Sequence, residues 1–351
     1  LVLATHGRGI WIIDDISPVR ALSPEVVASD VTLIRSEPVQ QRIRGSGGWP
    51  EGDATYVGQN PVDGAVITYY QKARHVLGRM KLEIIDPNGK VIDELPTSKR
   101  KGLNRVVWSM RTKPPQVPPA ASLAFASTQG QRVMPGTYTV RLTKAGKVTE
   151  MPLVVGLDKR AKFTTADRQA QYDAAERVKG LFVRMSALTA GLNAVKSQAQ
   201  AVADNESTSA ANKAKALALV GKADALRKQV VATTEGGAIT GEERLRENMD
   251  MAYGAITATE ARPTSYALAR VDALEKELAE VESGFAALKA GDAAALNLAL
   301  QADGVPAIDL AAVLPRGDDA RGGPAAAVGS FMLGTRYTGS MSALRTSRKR
   351  N

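Results

Sequence analysis

The sequence contains no cysteine, only two histidines, and few aromatic side chains, 5% of 351 residues. Without cysteine there is no disulfide scaffold, no thiolate ligand for zinc and no thiol nucleophile. With so few histidines the chain is also poor in the common soft metal ligands, and neither a metal nor a cofactor is assigned. The lack of cysteine leaves the compartment open. No run approaches the roughly 18 uninterrupted apolar residues of a membrane-spanning helix. What the chain does have is 44% hydrophobic residues, so its cores must be aliphatic and alanine-rich. Its length allows two or three domains.

The net charge is +10, and its distribution is uneven. From residue 311 onward there are seven basic residues (Arg316, Arg321, Arg336, Arg345, Arg348, Lys349, Arg350) against Asp318 and Asp319, so half of the excess lies in that tail. A basic tail can meet an anionic surface or be a solvated, disordered segment. No aromatic-interleaved basic face accompanies it, so disorder is expected over 310–351 and nucleic acid is not assigned as a partner.

Residues 1–15 read LVLATHGRGIWIIDD. Two short apolar runs around a Gly-containing turn predict a β-hairpin. A lone hairpin is marginal in water, and no partner strands are obvious downstream. The expectation is that its sheet lies in sequence preceding Leu1. Residues 17–56 read as a connector. Within it, Ser23-Pro24-Glu25 has an N-cap residue, proline at the first helical position and an early acid; Val31–Ile34 fits one strand, and 45–50 (GSGGWP) is a flexible loop.

Residues 57–156 have all-β character. The predicted strands are Ala65–Gln71, Arg79–Asp86, Val91–Leu95, Asn104–Arg111, Thr137–Lys144 and Val148–Val155. Asp86-Pro87-Asn88-Gly89 and Ala145-Gly146 supply turn chemistry. Short strands at this spacing suggest a β-sandwich. The segment 112–134, rich in Pro, Ala and Ser, is predicted to be a long, mobile loop.

Residues 160–305 switch to helical period. Thr165 marks a start. Val178, Met185, Leu192 and Ala199 form one heptad row, and Leu181, Leu188, Val195 and Val202 the other. Leu219, Ala223, Leu226 and Val230 form a second helix face; Leu245, Met249, Tyr253 and Ile256 a third. Arg262-Pro263-Thr264 breaks the chain before a last helix carrying Val271, Leu274, Leu278, Val281, Phe285 and Leu288. Narrow seams of this kind predict an antiparallel coiled coil or bundle. These seam positions hold no ionisable residue, so the region reads as a contact surface. The Met and Tyr on the seams read as core.

Three patterns, in this order, resemble a family. THGRGIWIIDDISPVR (5–20) looks like the closing blade of bacterial propellers related to sortilin, with BNR repeats, and to xyloglucanase-type glycoside hydrolases. GQNPVDGAVITYY, GLNRVVWSMR and MPGTYTVRL resemble the Ig-like sandwich that often follows such propellers; the last two also resemble the β-sandwich of the flagellar hook-capping protein. RLRENMDMAYGAITATEARPT and the long helix after it resemble the helical tail of the same bacterial proteins. The resemblance covers about residues 1–309. It implies a multidomain α+β chain: 1–16 as the remnant of a last propeller blade, the connector 17–56, an Ig-like β-sandwich over 57–156, a helical bundle over 160–305 and the tail. It further implies a secreted or periplasmic bacterial protein whose propeller lies upstream. In the xyloglucanase type the catalytic acids sit in earlier blades, so no catalytic residue transfers to any position here.

The chemistry-bearing residues read accordingly. Asp14 and Asp15 are adjacent on a strand and point to opposite faces, so they do not form an opposed glycosidase pair; strand-end capping is the reading preferred. His6, beside Gly7-Arg8-Gly9, could bind an anion or face a channel, or be a plain turn histidine. His75 has no visible partner. Asp318-Asp319 is a poor calcium signal on its own. Trp108 alternates with Val106 and Met110 and reads as core. Trp49, in its Gly-Pro loop, is the aromatic side chain considered for ligand contact, with an interdomain cleft as the other explanation.

Two functions remain in play. One is a non-catalytic accessory region that braces the propeller and mediates protein or carbohydrate contacts. The other is the C-terminal end of a glycoside hydrolase whose active site lies in the propeller.

Overall fold

The computed structural model describes residues 1–7, 9–13, 15–42, 62–236 and 241–311. Trp49, Asp14, Asp318, Asp319 and the basic tail beyond Ala311 lie outside them. The chain is a mixed α+β protein in which two facing sheets carry one apolar core and a helical bundle carries another.

The chain opens with a two-stranded antiparallel hairpin, β1 (Val2–Ala4) and β2 (Ile10–Ile12). Two short helices follow, α1 (Ser17–Arg20) and α2 (Pro24–Ala28); the Ser23 hydroxyl caps α2 by accepting from the Val26 amide. Then β3 (Val31–Ile34), β5 (Ala65–Gln71) and β8 (Gly102–Trp108) form a three-stranded antiparallel sheet in the order β3-β5-β8. The strands β4 (Val39–Gln40), β6 (Met80–Ile85), β7 (Val91–Leu95), β9 (Gly136–Lys144) and β10 (Lys147–Gly156) form the second sheet, ordered β4-β10-β9-β6-β7. Its one parallel pairing joins β4 to the end of β10.

Alternation builds the β core. Tyr138, Val140 and Leu142 point inward from β9 and meet Ile67, Tyr69, Val106 and Trp108 from the other sheet. The tight β9–β10 turn has Ala145 and Gly146 at φ 47° and 81°, the left-handed pair of a two-residue hairpin. In the β6–β7 turn, Asp86 accepts from the amides of Asn88 and Lys90. The stretch taken as a connector is partly sheet: β3 and β4 lie within 17–56 and pair with β5 and β10. Alternating burial of Val31, Leu33 and Ile34 was visible as one strand, but a parallel pairing of two residues leaves no local signature.

The helices are α3 (Thr165–Asp204), α4 (Ala210–Val230), α5 (Leu245–Thr257), α6 (Ser265–Leu288) and, after a π-turn at Lys289–Ala293, α7 (Ala294–Asp303). α3 begins at Thr165, as expected, and is capped by Thr164 through a reciprocal box with Asp167. At 40 residues α3 is about 60 Å long. Its partners show how the bundle runs. Arg177 pairs with Asp272 and Glu275, and Arg184 with Glu275 and Glu282, so α3 and α6 are parallel. Asn212 meets Asp303, and Lys222 meets Asp292, so α4 runs antiparallel to α6 and α7. Gln171 of α3 reaches the Ile256 carbonyl at the end of α5. The bundle thus has three columns: α3, then α6 with α7, and a third column made of α4 and α5 end to end. α3 and α4 are antiparallel, as a short turn predicts, whereas α5 continues in the direction of α4 instead of folding back on it, and α3 and α6 are parallel because α4 and α5 together make one returning column. Every heptad position named above in α3 is buried.

The segment 112–134, expected to be a mobile loop, is a strap packed on the bundle. Val117, Ala120 and Ala126 lie against the helical core. The Ala121 amide donates to the Ala232 carbonyl where α4 gives way to α5 (3.1 Å), and Ser186 donates to the Gln116 carbonyl (2.9 Å). Gly130 is required here, since a Cβ would stand 1.8 Å from the Thr112 carbonyl oxygen. Its short apolar residues and prolines suit a strap lying in a groove as well as they suit a loop, which is why composition alone misleads.

Candidate interaction surface

The β1–β2 hairpin has a register of Val2 with Ile12, Leu3 with Trp11 and Ala4 with Ile10. Leu1 and Ile13 close its open end by exchanging two hydrogen bonds of 2.8 Å. At the tip, the Thr5 amide and hydroxyl donate to the Gly9 carbonyl, and the Gly9 amide donates back to the Thr5 hydroxyl. The turn residue Gly7 is open on every side.

Strand alternation places Val2, Ala4, Ile10 and Ile12 on one face and Leu1, Leu3, Trp11 and Ile13 on the other. Both faces are apolar, and both are bare. Leu1, Val2, Leu3, Ile10, Trp11, Ile12 and Ile13 are 41–72% exposed. A sheet with one solvated face alternates apolar and polar residues; one covered on both faces is apolar throughout. Seven large apolar side chains on and beside two three-residue strands far exceed the scattered exposed residues usual on a protein surface.

The hairpin base is fixed. Asp15 accepts from the Ser17 amide at 2.8 Å, and hydrogen bonding from the Ser17 hydroxyl and then its amide holds the Asp15 carboxyl below the usual range. This is the capping role expected for a strand-end acid. Asp15 also lines a cavity of about 490 Å³ with Pro18, Arg35, Glu37, Arg42 and Asp63, between α1 and the sheet. The cavity wall is charged with both signs, which suits a polar contact beside an apolar one.

His6 sits exposed at the hairpin tip. The structure brings it to no pocket wall and no other candidate residue among the described ones. His75 lies in the β5–β6 loop, where its amide donates to the Lys99 carbonyl. Trp108 is fully buried in the β core. Trp11, by contrast, is solvent-exposed on the hairpin. The signal in the sequence was the unbroken apolar run Ile10–Ile13, which lacks the polar alternate positions of a strand with one solvated face.

The other group missed in sequence is a set of buried charges between the β sheets, the strap and the bundle. Arg168 forms an ion pair with Glu260, its Nε 2.6 Å from one carboxylate oxygen, and Arg132 forms another, its Nε 3.1 Å from the other oxygen. Arg168 also donates to Gln171 and to the Arg132 and Val133 carbonyls. Burial pulls the pKa of Arg168 and of nearby Arg111 below the ordinary guanidinium value. A second set ties α5 to the strap: Arg246 donates to Glu247 (2.7 Å) and to the Pro118 and Ser122 carbonyls, Ser122 donates to Glu247 (2.6 Å), and Asp250 accepts from the Ala126 and Ser127 amides. The helical region therefore does hold buried ionisable groups. They escaped the seam analysis because they lie beside the heptad rows, facing the strap. The detectable signal was α5 itself, where apolar residues and charges alternate so closely that no purely polar face remains.

Among the described residues no group of three His, Asp or Glu is placed to hold a metal ion, and no helix is long and apolar enough to cross a membrane. Comparison with protein-family models, with curated proteins and with solved structures finds no match to this chain.

Proposed function

We propose that this chain is a non-catalytic accessory and interaction region that docks through the β1–β2 hairpin onto a β-propeller body. The observation that carries the reading is that both hairpin faces are apolar and open. In a propeller each blade is a small sheet packed between its neighbours, so strands that complete a blade need apolar residues on both sides. The free backbone edges of β1 and β2 would pair with the blade, in the manner of strand addition. On this reading the cavity at Asp15 receives the rim of the same body. The two-sheet region is then an Ig-like brace around Trp108, and the bundle a rigid spacer that presents the assembly to protein or polysaccharide. A secreted or periplasmic setting belongs to the same proposal.

The test is activity and binding in parallel. The isolated chain is expected to hydrolyse no glycoside, and the Ile10→Lys/Ile12→Lys double variant to keep the sandwich and bundle folded while losing association with the propeller-containing protein. Glycoside hydrolysis by the isolated chain would refute the accessory reading. Unchanged association of the double variant would remove the hairpin from the interface.

A further inference from the structure

At the turn between α5 and α6 lies a second cavity, of about 500 Å³, remote in sequence from the hairpin. That is within the roughly 300–1,000 Å³ of sites that take small organic ligands. Its depth comes from alanines at positions where neighbouring helices usually interdigitate larger side chains: Ala252 and Ala255 on α5, Ala267 on α6. Ile256 and Pro263 add apolar wall, and two large side chains stand at the rim in solvent, Met251 at 51% and Tyr266 at 81% exposure.

The lining contains two guanidinium groups, Arg262 and Arg270, and no aspartate or glutamate. Their states differ. Arg262 donates through Nε to Asp167 at the start of α3 (3.0 Å), so its charge is largely matched. Arg270 is half-buried and donates through Nη2 to the neutral side-chain oxygen of Asn248 (2.8 Å); among the described residues it forms no ion pair. Asn248 fixes the direction of the guanidinium without neutralising it, and four further N–H bonds remain on a planar fork suited to an oxyanion.

We infer that this hollow binds a small amphiphilic anion, an apolar body carrying one carboxylate that pairs with Arg270. The apolar walls exclude a purely polar ion, and the unmatched positive charge selects an anionic head over a neutral one. Tyr266 and Met251 are placed to fold over the apolar part, each giving up exposed apolar surface as it does so.

The test uses the full chain with decanoate, and decanol as the neutral control, both below their aggregation concentrations, followed by calorimetry and by amide shifts in α5 and α6. Saturable decanoate binding is expected, with shifts centred on Ala252–Ile256 and Tyr266–Arg270. Arg270→Gln, which removes the charge and keeps a polar side chain, is expected to weaken decanoate about tenfold or more while leaving decanol unchanged. Ala255→Leu, at an exposed position, is expected to fill the hollow and abolish binding of both. Equal binding of decanoate and decanol to the native chain, or decanoate binding unaffected by either substitution, would overturn the assignment. So would the absence of saturable binding to a folded native chain. The hairpin takes no part in any of these readouts.

Discussion

Arg168 and Glu260 form a closed ion pair at the joint between the β region and the bundle, 2.6 Å apart, with side-chain exposures of 0% and 6%. Arg132, on the strap, shares the same carboxylate. One glutamate thus ties the start of α3, the α5–α6 turn and the strap together.

Removing one partner of a buried pair leaves the other charge uncompensated, at a cost of about 3–5 kcal/mol. Glu260→Ala is expected to destabilise by that amount in denaturant unfolding. Glu260→Leu paired with Arg168→Met is expected to recover only part of the loss, since the Arg168 charge goes with its partner while Arg132 is left without a carboxylate. A Glu260→Ala loss below about 1 kcal/mol would show that water reaches the pair.

The β core turns on Trp108, whose ring lies 5.3 Å from that of Tyr138 across the two sheets, tilted by 59°. Trp108 is fully buried. Trp108→Ala is expected to cost about 3–5 kcal/mol, measured as a shift in the unfolding midpoint at constant slope.

The strap makes a different claim checkable. A fragment of residues 160–305 lacks the groups that satisfy Arg246 and Asp250 and the packing of Val117, Ala120 and Ala126. It is expected to be less stable than a fragment of 110–311, and less so than bundle length alone suggests. Equal thermal stability of the two fragments would mean that the strap merely rests on the helices.

Acid should act on the α3 cap. Hydrogen bonds from the Thr164 amide and hydroxyl, and then from Arg262, hold the Asp167 carboxyl down to about 2. A depressed carboxyl stabilises the fold above its unfolded pKa, near 4. That contribution fades as the pH falls from about 4 through 2. Amide exchange in the first turn of α3 is expected to rise across that window, and Asp167→Asn to remove the pH dependence.

What was legible in the sequence was periodic. The α3 rows from Val178 to Val202 and the alternation of Tyr138, Val140 and Leu142 repeat often enough to identify helix and strand and their buried faces. The turns at Asp86–Gly89 and Ala145-Gly146 depend on local backbone chemistry and could be read directly. The joint could not. Arg132, Arg168 and Glu260 are far apart in sequence, each looks like an ordinary surface charge, and only tertiary packing makes them neighbours. The strap was misread for the same reason: its hydrogen bonds go to the bundle, and composition does not say where a chain's backbone groups find partners. Trp11 lay in plain view, but an apolar hairpin acquires meaning as a surface only when the structure leaves both its faces open.

Amide hydrogen exchange at Ile10–Ile13 tests the docking account most directly, compared between the isolated chain and the same chain joined to the propeller body that the proposal places against it. In the isolated chain these amides are expected to exchange far faster than those of β9 and β10, because among the described residues the hairpin pairs only with itself. In the larger protein they are expected to become as protected as the β core. Strong protection already present in the isolated chain, or none gained in the larger protein, would contradict the account.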